Sequence, residues 1–133
     1  MIRPTLAIAA LLTAGSAAAN PCGFDESGKI VVTDYEIGQT SVPETQRDRL
    51  AEFAETAKAR FEICIFARVD ATGSDAANER VAQARADGVR RFLAERGVKS
   101  DSMTVAKQEE TTTFFGILPA DRQSDRQVIV THN

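Results

Sequence analysis

The 133-residue sequence has no tryptophan, one tyrosine and a single histidine, His132. One histidine is too few for a histidine-based zinc enzyme, and it leaves little from which to build a Ser-His-Asp triad. Basic residues do not dominate: 16 Lys+Arg stand against 19 Asp+Glu, a formal net charge of −3. A non-specific nucleic-acid binder would need the opposite balance to neutralise phosphates. Beyond the first twenty positions no run of 18 apolar residues occurs, so that part carries no membrane-spanning helix. A spanning β-barrel is also excluded. Eight tilted strands of about 9–11 residues with their turns would consume nearly the whole chain, and much of it reads as helix. Internal repeats and low-complexity tracts are absent. What is present is an apolar share of 43%, enough for one packed core in a chain of single-domain length.

Met1 to Ala19 reads as a secretory signal. Arg3 supplies the positive n-region, Leu6 to Thr13 (LAIAALLT) a short apolar h-region, and Ala17-Ala18-Ala19 the small residues that a signal peptidase requires. Cleavage is expected after Ala19; the other reading of this stretch is a buried N-terminal helix. Cys22 follows Asn20-Pro21 rather than a small, apolar tripeptide, so no lipid anchor is expected there. Export implies an oxidising compartment, in which the two cysteines, Cys22 and Cys64, favour a disulfide. Such a bridge closes a long loop and is worth about 3–4 kcal/mol by chain entropy. The alternative is two unpaired thiols, because sequence does not show whether the Cα atoms reach bridging distance. The expected organisation is therefore a signal over 1–19, an irregular, turn-rich leader over 20–28 and one domain over 29–133.

Within that domain, Lys29 to Tyr35 (KIVVTDY) is β-branched and reads as a strand. Pro43 sits where the first turn of a helix tolerates it. From Glu44 to about Arg60, the residues Leu50, Phe53, Ala54 and Ala57 fall at i, i+3, i+4 and i+7, one apolar helical face. Phe61 to Val69 (FEICIFARV) is the strongest strand signal. Cys64 and Phe66 interrupt its polar alternation, which predicts a central strand covered on both faces. Asp70 to Asp75 (DATGSD) is a turn, and it lacks the alternating carboxylates and terminal Glu of a calcium loop. A second helix is expected from Ala77 or Asn78 to Arg96, with Gly97 ending it. Met103 to Ala106 reads as a short strand, Thr111 to Ser124 as a loop and Arg126 to Thr131 as a closing strand. The fold class is α+β: a β-α-β-α-β-β two-layer sandwich, two helices packed on a mixed sheet of about four strands.

The stretch Ala67 to Val98 (ARVDATGSDAANERVAQARADGVRRFLAERGV) resembles the OmpA-like peptidoglycan-binding domain family. That family's pattern runs roughly G-H-T-D-x-x-G, then S-x-x-x-N-x-x-L-S-x-x-R-A-x-x-V-x-x-x-L, then G-V. Asp70, Gly73, Ser74, Asn78, Arg85, Ala86, Val89, Leu93, Gly97 and Val98 fall in its register without a gap. More weakly, Val42-Pro43 resembles the family's entry to its first helix, and Asp125-Arg126-Gln127-Val128 its N-R-R-V. The resemblance spans about Ile30 to Thr131.

It implies a non-catalytic domain that holds the diaminopimelate of the peptidoglycan stem peptide, with Asp70 on the ammonium and Arg85 on the carboxylate. That division suits the chemistry. A carboxylate only accepts hydrogen bonds, and a guanidinium fork can grip a carboxylate through two of them. Backbone N–H groups around Ala71, Thr72 and Gly73 and at the helix start would add anion donors. Asn78 and Arg126 complete the implied ligand set, with a helix N-cap the alternative for Asn78. For Asp70 the alternative is a turn cap, and for Arg85 a solvated face residue or a partner of Glu109. The chain departs from the pattern where G-H-T becomes Ala67-Arg68-Val69, and where Asp125 and Gln127 replace an Asn and an Arg.

No cofactor and no metal site are implied, and nothing in the sequence pairs carboxylates or sets a nucleophile beside a base as an enzyme of this class would need. The expected location is the periplasm, associated with the cell wall and peripheral to the outer membrane. Partners would be the peptidoglycan stem peptide and other envelope proteins. The rival reading is a diverged OmpA-like fold that serves as a periplasmic protein–protein interaction module.

Overall fold

The computed structural model describes residues 20–69, 75–106, 109–110 and 126–133. The elements run β1 (Gly28–Val32), α1 (Glu44–Ala57), β2 (Ile63–Val69), α2 (Asp75–Glu95), β3 (Met103–Val105), β4 (Glu109–Glu110) and β5 (Val128–His132), with a 3-10 turn at Ser100–Ser102 before β3. The sheet order is β1-β5-β2-β3, with β4 also beside β2. β5 lies antiparallel between β1 and β2, and β3 and β4 run parallel to β2. This is the mixed-sheet sandwich with two helices that the patterning predicts.

The period-2 alternation of each strand divides the core in two. Ile63, Ile65 and Ala67 of β2 join Ile30, Val32, Val128 and Val130 beneath the helices. Leu50, Ala54 and Ala57 of α1 and Ala82, Ala86, Val89 and Leu93 of α2 close that layer. Cys64 and Phe66, one residue out of phase, face the other way with Ile129. Among the described residues no helix covers that side. The leader does, through Cys22 and Phe24, and the Cys22–Cys64 disulfide fastens it there with a Cα–Cα distance of 6.0 Å. The Asn20 side chain organises the leader by accepting from the backbone N–H groups of Cys22 and Gly23 and donating to the Phe24 carbonyl.

The element ends differ from the sequence expectations for local reasons. β1 stops at Val32 because the chain turns at Asp34, whose φ of 65° lies in the left-handed region that Asp tolerates. Its carboxylate then accepts from Thr45 Oγ1 (2.7 Å) and Gln46 Nε2 (3.0 Å), which sets a negative charge at the α1 N-terminus, where Pro43 offers no capping side chain. α1 ends at Ala57 rather than Arg60, and i to i+3 bonds tighten the chain beyond it. Phe61 is not part of β2 and is 83% exposed. Its N–H and that of Glu62 are bound by Asn133 Oδ1 instead of a strand. α2 begins at Asp75 and ends as expected at Gly97, whose φ is 94°. There Val98 N–H reaches the Leu93 carbonyl and Gly97 N–H the Ala94 carbonyl, the paired bonds of a Schellman end.

Candidate functional site

Arg85 lies mid-way along α2 and is only 5% exposed, so it is not a solvated face residue. Its Nε donates to the Gln39 carbonyl (2.7 Å) and one Nη to the Glu36 carbonyl (3.1 Å). Its guanidinium carbon stands 4.9 Å from the centroid of the Tyr35 ring. One side chain thus fastens the connection between β1 and α1 to the flank of α2. Gly88, one turn further on, passes so close to the Thr40 carbonyl that a Cβ there would come within 3.2 Å of it. The loop therefore runs along α2 in contact.

Arg126 arrives at the same place from the segment just before β5. Its Nε donates to the Tyr35 carbonyl at 2.9 Å. Two guanidiniums, 41 residues apart in sequence, therefore meet on one tyrosine. Tyr35 is 1% exposed, and its hydroxyl is buried with no hydrogen-bond partner among the described residues. Burial pushes that hydroxyl well above the ordinary tyrosine range, and the Arg85 charge opposes the shift. Burial draws the Arg85 guanidinium below its ordinary value; Tyr35 opposes this, and the neighbouring Arg126 adds to it. The cluster joins two guanidiniums to the carbonyls of Tyr35, Glu36 and Gln39 around one buried phenol.

The sequence-predicted residues fare unequally. Arg85 and Arg126 are brought together. Asp70, Thr72 and Gly73 lie outside the described residues, as does the segment from 111 to 125 that precedes Arg126. Asn78 is inside the first turn of α2, because the helix begins three residues before it; the N-cap alternative is therefore wrong. It shares a helix face with Arg85, seven residues and about 10 Å along the axis. The Nε and one Nη of Arg85 already hold main-chain carbonyls, so that edge of the fork faces the loop. Ala67, where the family pattern has Gly, is fully buried under the helices.

Sequence reasoning missed Tyr35 and the carbonyls of Glu36 and Gln39. The only available signal was that the chain's one tyrosine closes the first β-branched run. Among the described residues no group of three or more His, Cys, Asp or Glu side chains could hold a metal ion, and no helix is long and apolar enough to cross a membrane.

A family model described as the OmpA family matches residues 35–126. Among solved structures, the peptidoglycan-associated lipoprotein of Burkholderia pseudomallei is similar with a TM-score of 0.63 at 24% identity, over 77% of this chain and 89% of that one. The periplasmic domain of Helicobacter pylori MotB is similar with a TM-score of 0.61 at 15% identity, over 82% of this chain and 77% of that one. The cell wall anchor of the T6SS from Pseudomonas aeruginosa has a TM-score of 0.59 at 16% identity, over 78% and 79% of the two chains. No curated protein sequence matches the chain significantly.

Proposed function

The chain belongs to the OmpA family, and from that premise we propose that it is an exported, non-catalytic domain that binds peptidoglycan through the diaminopimelate of the stem peptide. The observation that carries this reading is the convergence of Arg85 and Arg126 on Tyr35. Two guanidiniums beside one tyrosine give an electropositive position that suits a carboxylate. Arg126 and the remaining Nη of Arg85 take the diaminopimelate carboxylate. Asp70, the residue after Val69 in sequence, takes the ammonium. Thr72 and Gly73 contribute backbone donors, and Asn78 lines the approach along α2. A zwitterionic side-chain end suits this division of charge.

Two further observations support the reading. The matched family region, residues 35–126, contains Tyr35, Arg85 and Arg126. Solved structures of the same fold include a peptidoglycan-associated lipoprotein and a cell wall anchor. Residues 1–19 act as the export signal, and the disulfide suits the oxidising periplasm to which it leads.

The test is co-sedimentation of the mature chain with purified sacculi, beside Asp70→Ala and Arg126→Ala. The wild type should pellet and both folded variants stay in solution. A wild type that stays in solution removes the proposal. It would favour the second reading, an envelope protein-interaction module, for which the occupied donors of Arg85 and the change of the family's second Arg to Gln127 are the supporting observations.

A further inference from the structure

A second basic site adjoins the first. A groove of about 300 Å3 lies between the start of α1 and the last turns of α2, walled by Arg47, Arg91 and Arg96, with Ser41 and Gly88 among its other lining residues. Among the described residues Glu95 is the one carboxylate lining it, and it forms no ion pair with the three arginines. Arg47 and Arg91 are exposed and take no hydrogen bond within the described structure. Arg96 is already oriented: its guanidinium carbon lies 3.4 Å from the Phe92 ring centroid, and one Nη donates to the Phe92 carbonyl. Three cations against one anion, in a concave site on a chain of net charge −3, form a local positive potential that an anionic group would relieve.

The groove and the Arg85 cluster share one wall, the loop of residues 36–41. The loop whose Glu36 and Gln39 carbonyls hold Arg85 passes Gly88 at Thr40 and forms the groove wall at Ser41. Along α2, Gly88 is about 4.5 Å and Arg91 about 9 Å from Arg85 at the helical rise. The anchored group is the side-chain end of the diaminopimelate, so the glutamate joined at its other end stands a side chain's length further out, a span of the same order as the about 9 Å to Arg91. A peptide anchored at Arg85 and Arg126 therefore brings its adjacent residue within reach of the groove.

We propose that the Arg47–Arg91–Arg96 groove binds a second carboxylate of the same wall peptide, the free α-carboxylate of the γ-linked glutamate next to the diaminopimelate. This rests on the function proposed above. It adds to it that the domain distinguishes stem peptides whose glutamate is a free acid from those in which it is amidated. Arginine suits that discrimination, because an amide neither carries the charge nor accepts two parallel N–H bonds as a carboxylate does.

The test is calorimetric titration of the mature protein with a soluble diaminopimelate-containing stem tripeptide, once with the glutamate α-carboxylate free and once with it amidated. The Arg47→Gln/Arg91→Gln variant is titrated in parallel, after thermal melting has shown that it folds as the wild type does. Amidation should weaken wild-type binding about five- to tenfold. The double variant should bind the free acid about as weakly as the wild type binds the amide, and should be indifferent to amidation. Equal wild-type affinity for the two peptides, or a double variant that keeps the preference, overturns the groove while leaving the diaminopimelate reading in place. A wild type that binds neither peptide overturns both.

Discussion

The Arg85 guanidinium packs 4.9 Å from the Tyr35 ring centroid while the same side chain holds the Glu36 and Gln39 carbonyls that follow Tyr35 in sequence. A residue expected to meet ligand is thereby also the tie between α2 and the loop that leads into α1. Arg85→Ala removes two charge-assisted hydrogen bonds and a cation–π contact from a buried position, and should destabilise the domain by about 2–4 kcal/mol. Arg85→Lys should recover little, because an ammonium cannot reproduce the planar fork that spans both carbonyls. Urea unfolding of the three proteins measures this. An unchanged midpoint for Arg85→Ala would show that the loop is held by other contacts.

Tyr35 is the chain's only tyrosine and there is no tryptophan, so phenolate absorbance reports this one group. Its hydroxyl is buried and its pKa raised by that burial. The folded state therefore retains the proton that the unfolded chain releases near pH 10. The sign follows from linkage: the stabilisation is complete below about pH 10 and is lost as pH rises above it. A spectrophotometric titration should show no phenolate until unfolding begins. A reversible native titration near pH 10 would contradict the buried hydroxyl.

Cys22 and Cys64 are separated by 42 positions. Cys22→Ser/Cys64→Ser, or reduction of the wild type, should cost about 4 kcal/mol by loop entropy, with an added penalty as the leader leaves Phe66 and Ile129 to solvent. Chemical denaturation with and without reductant gives the difference. Mass spectrometry under non-reducing conditions should find no free thiol.

Gly28 faces the ring of His132 across the β1–β5 pair, and a Cβ at position 28 would collide with that ring. Gly28→Ala should lower stability by about 1–3 kcal/mol as the buried imidazole is displaced. His132→Ala introduced beside it should recover part of that loss, a non-additivity expected of residues in contact. Thermal melts of the two single variants and the double variant form the cycle. Strict additivity would mean that the two side chains do not compete for this space.

Much of the architecture was visible in the pattern of residues. The spacing of Leu50, Ala54 and Ala57 gave α1 its buried face, and Val89 and Leu93 did the same for α2, because helical period maps directly onto burial. Cys64 and Phe66 marked β2 as covered on both sides for the corresponding reason in a strand. Element ends were less legible. Phe61 has the composition of a strand residue, yet its N–H is bound by Asn133, a residue 72 positions away that no local pattern reveals. Of the site, Arg85 and Arg126 could be named from motif spacing alone, whereas Tyr35 could not.

The sequence by itself determined the two helices, the central strand and the bridgeable cysteine pair, because these follow from periodicity and residue chemistry within short windows. Only the tertiary structure decided that Arg85 is buried, that its hydrogen bonds go to the main chain of a distant loop, and that Arg126 and Arg85 meet on Tyr35. Each of those facts depends on which elements the sheet order places side by side, and burial and partnership between segments far apart in the chain exist only once that packing is made.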